Sequence, residues 1–344
     1  MSTYSTVKYQ KFFGSFFQKR TFFLPLACLF LCASANAAPR LKCGVVTEAL
    51  DWNKDDLHGG LVPLDVEICR ATATTLYGAP DKFDLQSYTT EEDGLVALHK
   101  GQTDMVVGAT PSLVRSNIYH ARYSLPFFQD GQGFMVHSAE GVHSLGDITG
   151  HKLCYIEDTD NDRIALAYLA AHGIKPVAFG FQEEGEMDAA IMDRHCQVTT
   201  AYLSKLAEAR ATFHNAHEYV FLPDLLNLVP ATVATDAQNT RLGNVIDTVI
   251  SVLLQAEYLG VTQATAPLEK AGDDPRMQRL LGVDYATAQG LGLPHDWSRK
   301  VLSAVGNYAE IYDRSVGPGT QLNLARGYNA LWSAGGVLAP LPLQ

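Results

Sequence analysis

Twice along this chain a short apolar run is followed by a helix-patterned stretch and then by another apolar run, and no other feature narrows the possible folds as far. From Leu41, KCGVV reads as a strand, and DVEICRATATTLYG reads as a helix, with Val66, Cys69, Ala73 and Leu76 at helical spacing and Gly78 as its stop. FDLQSY is a second strand. Thr90 with Asp93 has the arrangement of a helix cap before EEDGLVALHK, Gly101 closes that helix, and DMVVG returns as a strand. A β-α-β-α-β run predicts parallel strands covered by helices. After Gly150 the pattern begins again with strand KLCYI, a helix from Thr159 to His172 stopped by Gly173, strand PVAFG, helix EEGEMDAAIMDRH, strand CQVTT, helix YLSKLAEAR and strand EYVFL. The expected fold is therefore α/β in two lobes, each a mostly parallel sheet flanked by helices. DGQGFMVHS and PDLLNLVPATVATD are the two segments of the hinge, which places lobe I at 39–134 and 231–344 and lobe II at 135–230. RLGNVIDTVISVLLQAEYLG and RKVLSAVGNYAEIYDRSVG are expected to be helical and to pack on lobe I.

Residues 1–38 stand apart. Lys8, Lys11, Lys19 and Arg20 lead into the apolar TFFLPLACLFLCA and the small-residue stretch SANAA, the pattern of a secretory signal with cleavage near Ala37 or Ala38. The apolar part is short for a membrane span and is closely followed by the cleavage pattern Ala35, Asn36, Ala37. Removal leaves roughly 306 residues, more than one hydrophobic core usually organises. It also leaves 22 basic against 37 acidic residues, so the net charge moves from −11 to −15. That balance argues against nucleic acid and against docking on an anionic membrane, and a soluble monomer is expected. Four cysteines remain, Cys43, Cys69, Cys154 and Cys196, without CxxC spacing. In an exported chain disulfides are the default. Sequence leaves their connectivity open, and pairing within each half, Cys43–Cys69 and Cys154–Cys196, is the favoured arrangement.

An open parallel sheet binds ligands beyond the carboxyl ends of its strands. GATPSLVR, residues 108 to 115, sits at such a place: Gly108 ends the run DMVVG, Thr110 offers a hydroxyl, and Arg115 can fork onto a carboxylate. Taken alone, an arginine there is more often a solvated surface charge.

Longer stretches carry a resemblance. CGVV, DVEICRA at 65–71, DGQGFMV at 130–136, CQVTT at 196–200, and the tail segments LLGVDY, GLGLPHDW, AVGNYAEIYDRSVGPGT and LARGYNALWSAGG resemble the periplasmic solute-binding proteins of amino-acid ABC transporters, family 3, and within it the general L-amino-acid-binding branch. The resemblance implies the two-lobed type II periplasmic binding protein fold, closing on a ligand about a hinge. It implies that Gly108, Thr110 and Arg115 hold the ligand's α-carboxylate. The opposite lobe of the family adds a Gly-Thr-Thr turn at a helix N-terminus, where free amides favour an anion. Here the turn reads Asp158, Thr159, Asp160; Thr159 is kept, and the flanking carboxylates would repel an anion.

The family also clamps the α-ammonium with an aspartate after the cysteine. An ungapped alignment through Ser204 and Leu206 puts Tyr202 there, and Gln197 replaces an acid beside Cys196. A buried ammonium without a carboxylate partner is costly, so the amine partner is expected to be absent or supplied by Glu48, Asp158 or Asp160. In the return hinge Leu228, Val229 and Ala231 stand where the family is polar or charged, and Trp52 is placed either as a lid on the ligand or as a core aromatic closing a loop. The ligand set implied is Arg115, Thr110, Gly108, Thr159, Trp52, Asp158, Asp160, Tyr202 and Glu48.

Other signals carry less. DWNKDD lacks the glycine and glutamate of an EF-hand loop, and His214 with His217 has no third ligand for zinc. No nucleophile elbow, P-loop or dinucleotide fingerprint is present, so no cofactor or metal is expected and transport must be energised by partners. The resemblance implies a permease and its ATPase as those partners, with this chain capturing an amino acid or related small carboxylate in the periplasm. Two alternatives stand beside this: a dehydratase-like periplasmic enzyme on the same fold, with Glu48, Asp158 or Asp160 as its acid, and an orphan binding protein serving a sensor.

Overall fold

A computed structural model describes residues 39–47 and 61–343. Lobe I opens with β1 (Leu41–Val46), α1 (Val62–Tyr77), β2 (Phe83–Tyr88), α2 (Glu91–His99), β3 (Met105–Ala109), α3 (Leu113–Tyr119), β4 (Ala121–Tyr123) and β5 (Phe128–Asp130). Lobe II follows with β6 (Gln132–His137), β7 (Lys152–Ile156), α4 (Asp160–Ala171), β8 (Val177–Phe181), α5 (Glu184–Met192), β9 (Val198–Tyr202), α6 (Leu203–Thr212) and β10 (Tyr219–Phe221). The chain re-enters lobe I through β11 (Val229–Asp236) and ends in α7 (Thr240–Leu259), α8 (Pro275–Leu280), α9 (Ala286–Leu291), α10 (Trp297–Val305) and α11 (Tyr308–Ser315). Local chemistry sets several boundaries. The Thr90 side chain accepts from the Asp93 amide to open α2, Thr159 does the same from Asp162 for α4, and Gly78 closes α1 at φ 77°.

In lobe I, β1 pairs in parallel with both β2 and β3, so that Cys43 faces Leu85 on one side and Met105 on the other. Lobe II repeats this with β7 between β8 and β9. The centre of each sheet is thus parallel, as the repeat predicts, yet both sheets as wholes are mixed. β11 runs antiparallel to β3, β4 and β5, and β6 runs antiparallel to β9 and β10. The reason is connectivity: β6 and β11 enter their sheets directly from the other lobe, without the helical crossover that parallel pairing requires. Both orders reverse at the central strand, which puts a crevice beyond β1 and β3 in one lobe and beyond β7 and β9 in the other.

The hinge lies where β5 gives way to β6 and where β10 leads to β11. Asp130 is opposite Val229, the Gln132 amide donates to Asn227 Oδ1 at 2.8 Å, and the Leu226 amide donates to the Gln132 carbonyl at 2.8 Å. A Cβ on Gly131 would stand 2.3 Å from the Asn227 carbonyl oxygen, so the two crossing segments meet backbone to backbone and only glycine fits.

The larger core joins β1 and α1 to α7, α10 and α11, while two smaller clusters cover lobe II. Cys43–Cys69 ties β1 to α1 and Cys154–Cys196 ties β7 to the approach of β9, with Cα separations of 6.0 and 5.8 Å, the pairing favoured by the sequence. The stretch RKVLSAVGNYAEIYDRSVG forms two helices, α10 and α11, where a single amphipathic pattern runs through. Gly306 adopts φ 78°, ψ −167°, a conformation reserved for glycine, and Asn307 starts a new helix by a reciprocal cap with Glu310. Among the described residues no helix is long and apolar enough to cross a membrane.

Candidate ligand site at the two sheet crevices

The lobe I crevice is built on the end of β3. Gly108 has φ 83°, and a Cβ there would lie 3.0 Å from Asp65 Oδ2, so both backbone and neighbour require glycine. After it, the Thr110 amide donates to Glu91 Oε1 at 3.1 Å, and Arg115 Nη1 lies 2.7 Å from the same oxygen. Arg115 is held in the first turn of α3, where its amide donates to the Ser112 hydroxyl at 3.3 Å. The guanidinium and the backbone amide thus converge on one point, and that point is taken by a carboxylate oxygen. Burial pushes the Glu91 carboxyl up, against the opposing pull of Arg115 and Thr110. Beside the pair, the Tyr123 hydroxyl is shielded from solvent, and burial pushes its phenol up against the Arg115 charge. Behind Gly108, Asp65 is buried, its Oδ1 has no partner, and burial holds its carboxyl well above the usual range.

In lobe II, Asp158 adopts φ 59° and its side chain is solvated. The Thr159 hydroxyl donates to the Ile156 carbonyl at 3.0 Å and accepts from the Asp162 amide at 3.2 Å. Asp162 accepts in turn from the amides of Asp158 and Arg163. Asp160 is exposed and paired with Arg163. The start of α4 is therefore capped by Thr159 and Asp162, and the acids around it oppose an anion there. Tyr202 ends β9 half-buried; burial, then the charges of Asp130 and Asp160, push its phenol up.

Asp130 is the anchor at the hinge. Its Oδ1 accepts from the amides of Gly131 (2.9 Å) and Ser204 (3.2 Å), and its Oδ2 takes the Ser204 hydroxyl, which fixes the N-terminus of α6 against the crossing segment. Next to it, Gln132 Nε2 donates to the Asn161 carbonyl at 2.6 Å and to Thr200 Oγ1 at 3.1 Å. Gln132 Oε1 and Asn161 Oδ1 are left as buried acceptors without partners. The lobe I corner is thus made of donors met by Glu91, while two acceptors stand buried and unpaired beside the hinge in lobe II.

The comparisons agree with this architecture. No family model matches the sequence. The general L-amino acid-binding periplasmic protein AapJ of Rhizobium johnstonii is 30% identical over 307 residues, covering 88% of this chain and 90% of the relative. That decides the family. The chain belongs to the family 3 solute-binding proteins of ABC transporters. A second relative, the glutamate/glutamine/aspartate/asparagine-binding protein BztA of Rhodobacter capsulatus, is 27% identical and covers 95% of this chain and all of its own length. Among solved structures, an ABC transporter periplasmic binding protein from Brucella ovis with glutathione bound has a TM-score of 0.73 at 30% identity, covering 89% of this chain and 97% of that one. AapJ is named as periplasmic, which places this solute-binding protein in the periplasm too, and none of the relatives is named as an enzyme.

Within this solute-binding protein Gly108, Thr110 and Arg115 come together on one lobe, and Thr159, Asp158, Asp160 and Tyr202 gather on the other. Glu48 and Trp52, together with the leading segment and DWNKDD, lie outside the described residues. His214 and His217 are exposed, and no group of three or more potential ligands placed to hold a metal occurs among the described residues. Sequence reasoning passed over Glu91, Asp130, Gln132 and Asp65. Only Asp130 and Gln132 left a usable signal, since they fall in the hinge stretch DGQGFMVHS.

Proposed function

We propose that this solute-binding protein captures an α-amino acid, or a small molecule ending in one, by closing its two lobes, and hands it to a membrane permease powered by an ATPase. The leading segment directs export as a signal cleaved near Ala37 or Ala38, and the mature protein acts as a soluble monomer. One observation carries the reading: Arg115 Nη1 and the Thr110 amide lie 2.7 and 3.1 Å from one carboxylate oxygen, that of Glu91, so the turn after β3 is built to hold carboxylates, and the guanidinium keeps further N–H groups for the one an amino acid brings. Two charge-assisted donors aimed at one oxygen are a carboxylate site in geometry and charge. On the other lobe, Thr159, Tyr202 and the buried, unpaired acceptors Gln132 Oε1 and Asn161 Oδ1 are the polar groups that closure would bring to the ligand's donors. Contacts divided between two lobes favour the closed form by their differential affinity, and that form is what a permease reads.

A second reading has a specific support. The Brucella ovis protein holds glutathione, whose γ-glutamyl end is an α-amino acid and offers the same carboxylate and ammonium. A thermal-shift panel of the L-amino acids, glutathione, plain carboxylic acids and amines tests both. Saturating true ligands at a hundredfold excess over Kd stabilise by about 2.7 kcal/mol, a rise of several degrees. Stabilisation by glutathione but by no free amino acid selects the second reading, and stabilisation only by amines refutes both.

A further inference from the structure

The Arg115–Glu91 pair leaves the carboxylate corner electrically neutral before any ligand arrives. Glu91 is the first residue of α2, its backbone is held by the Thr90 cap, and only 20% of its side chain is exposed, so it does not swing freely out of the corner. A guanidinium has five N–H groups and can hold two carboxylates. The second one, however, comes within a few ångströms of the first and is repelled unless a cation arrives with it. An α-amino acid brings that cation on the carbon next to its carboxylate.

Among the described residues at the start of α4, no acid is both buried and unpaired. Asp160 is occupied by Arg163, Asp162 by the amides of Asp158 and Arg163, Asp158 is exposed to solvent, and Tyr202 occupies the alignment position of the family's ammonium-binding aspartate. We propose that Glu91 reads the ligand's ammonium, replacing from lobe I the clamp that lobe II lacks, and so makes the site selective for zwitterions over plain acids. The inference rests on Arg115 and Thr110 being the carboxylate corner. Glu91 is a specificity residue on this account.

The test is calorimetric titration of the wild type, Glu91→Gln, Glu91→Ala and Arg115→Ala with matched pairs: L-aspartate and succinate, L-glutamate and glutarate, L-alanine and propionate. The wild type is expected to prefer the amino acid of a pair it binds by about a hundredfold. Glu91→Gln narrows that preference at least tenfold, weakening the amino acid and strengthening the plain acid, and Glu91→Ala does the same if side-chain packing is not the cause. An equal shift of both partners, or no shift, overturns the proposal while Arg115-dependent binding leaves the carboxylate corner standing. If Arg115→Ala changes nothing, the corner itself is wrong. If the wild type takes none of the pairs, Glu91→Gln is still expected to gain binding of the plain acids, because Arg115 then stands unneutralised, and its failure to do so also overturns the proposal.

Discussion

Replacing Arg115 by alanine removes the cation that holds both Glu91 and, by our reading, the ligand's carboxylate. Truncating one partner of a buried charge pair at a binding site costs about 2–5 kcal/mol. Because 33% of the Arg115 side chain is exposed, water screens part of the interaction, and the lower end of that range applies. A loss of about 2–3 kcal/mol corresponds to about 30- to 150-fold in Kd. The same change perturbs the ligand-free protein, since Glu91 keeps the Thr110 amide and loses its counter-charge. A partly exposed ion pair contributes up to about 1 kcal/mol. The sign with pH follows from burial, which already raises the Glu91 pKa. Without Arg115 the rise is larger, so destabilisation is full at pH 7, shrinks as pH falls through the raised glutamate range, and vanishes where the acid is neutral in both folded and unfolded states. Titration calorimetry and thermal melts across pH read the two effects separately, and the double variant with Glu91→Gln recovers the melting temperature but not the affinity for an amino acid. Affinity for an amino acid that is unchanged in a folded Arg115→Ala protein would falsify the assignment.

Three further expectations concern the scaffold. Gly131→Ala places a methyl 2.3 Å from the Asn227 carbonyl and forces the hinge segments apart, so it lowers stability by about 1–3 kcal/mol in a urea melt and weakens ligand binding; a neutral variant would show that the hinge is looser than its geometry. Serine at both Cys154 and Cys196, which close a loop of sequence separation 42, costs about 2–5 kcal/mol, and an unchanged denaturation midpoint would show that the bridge is absent in the folded protein. Burial with Glu184 and Glu208 as neighbours pushes the Asp188 carboxyl up to about 6, so its ionisation opposes folding above that pH. Asp188→Asn therefore stabilises at pH 7, by less than about 1 kcal/mol after solvent screening, and has no effect once the pH is below the ordinary aspartate range; stabilisation that persists there contradicts the cause.

What was legible beforehand was local. Thr90 before Asp93, Thr159 before Asp162 and Gly78 after α1 announce their helix ends because a cap is a contact within three or four residues. The spacing of Gly108, Thr110 and Arg115 was visible for the same reason, all three lying within one strand-to-helix turn. Glu91 was not, since its meeting with Arg115 needs α2 and α3 to be set side by side over the sheet, and a glutamate opening a helix is ordinary in sequence. Asp65 reads as a polar residue in an amphipathic helix until the packing of α1 places it against Gly108.

By itself, the order of residues determined the alternation of strands and helices, the doubling into two α/β lobes and the family, because periodicity and short-range capping are written along the chain; it favoured the cysteine pairing, which the fold then fixed. Tertiary structure alone decided that each sheet is mixed, that Gly131 and Asn227 form the crossing, and that the carboxylate corner is already occupied. Those features depend on backbones and charges brought together from distant positions, where a few ångströms decide whether an arginine is a free cation or one half of a neutral pair.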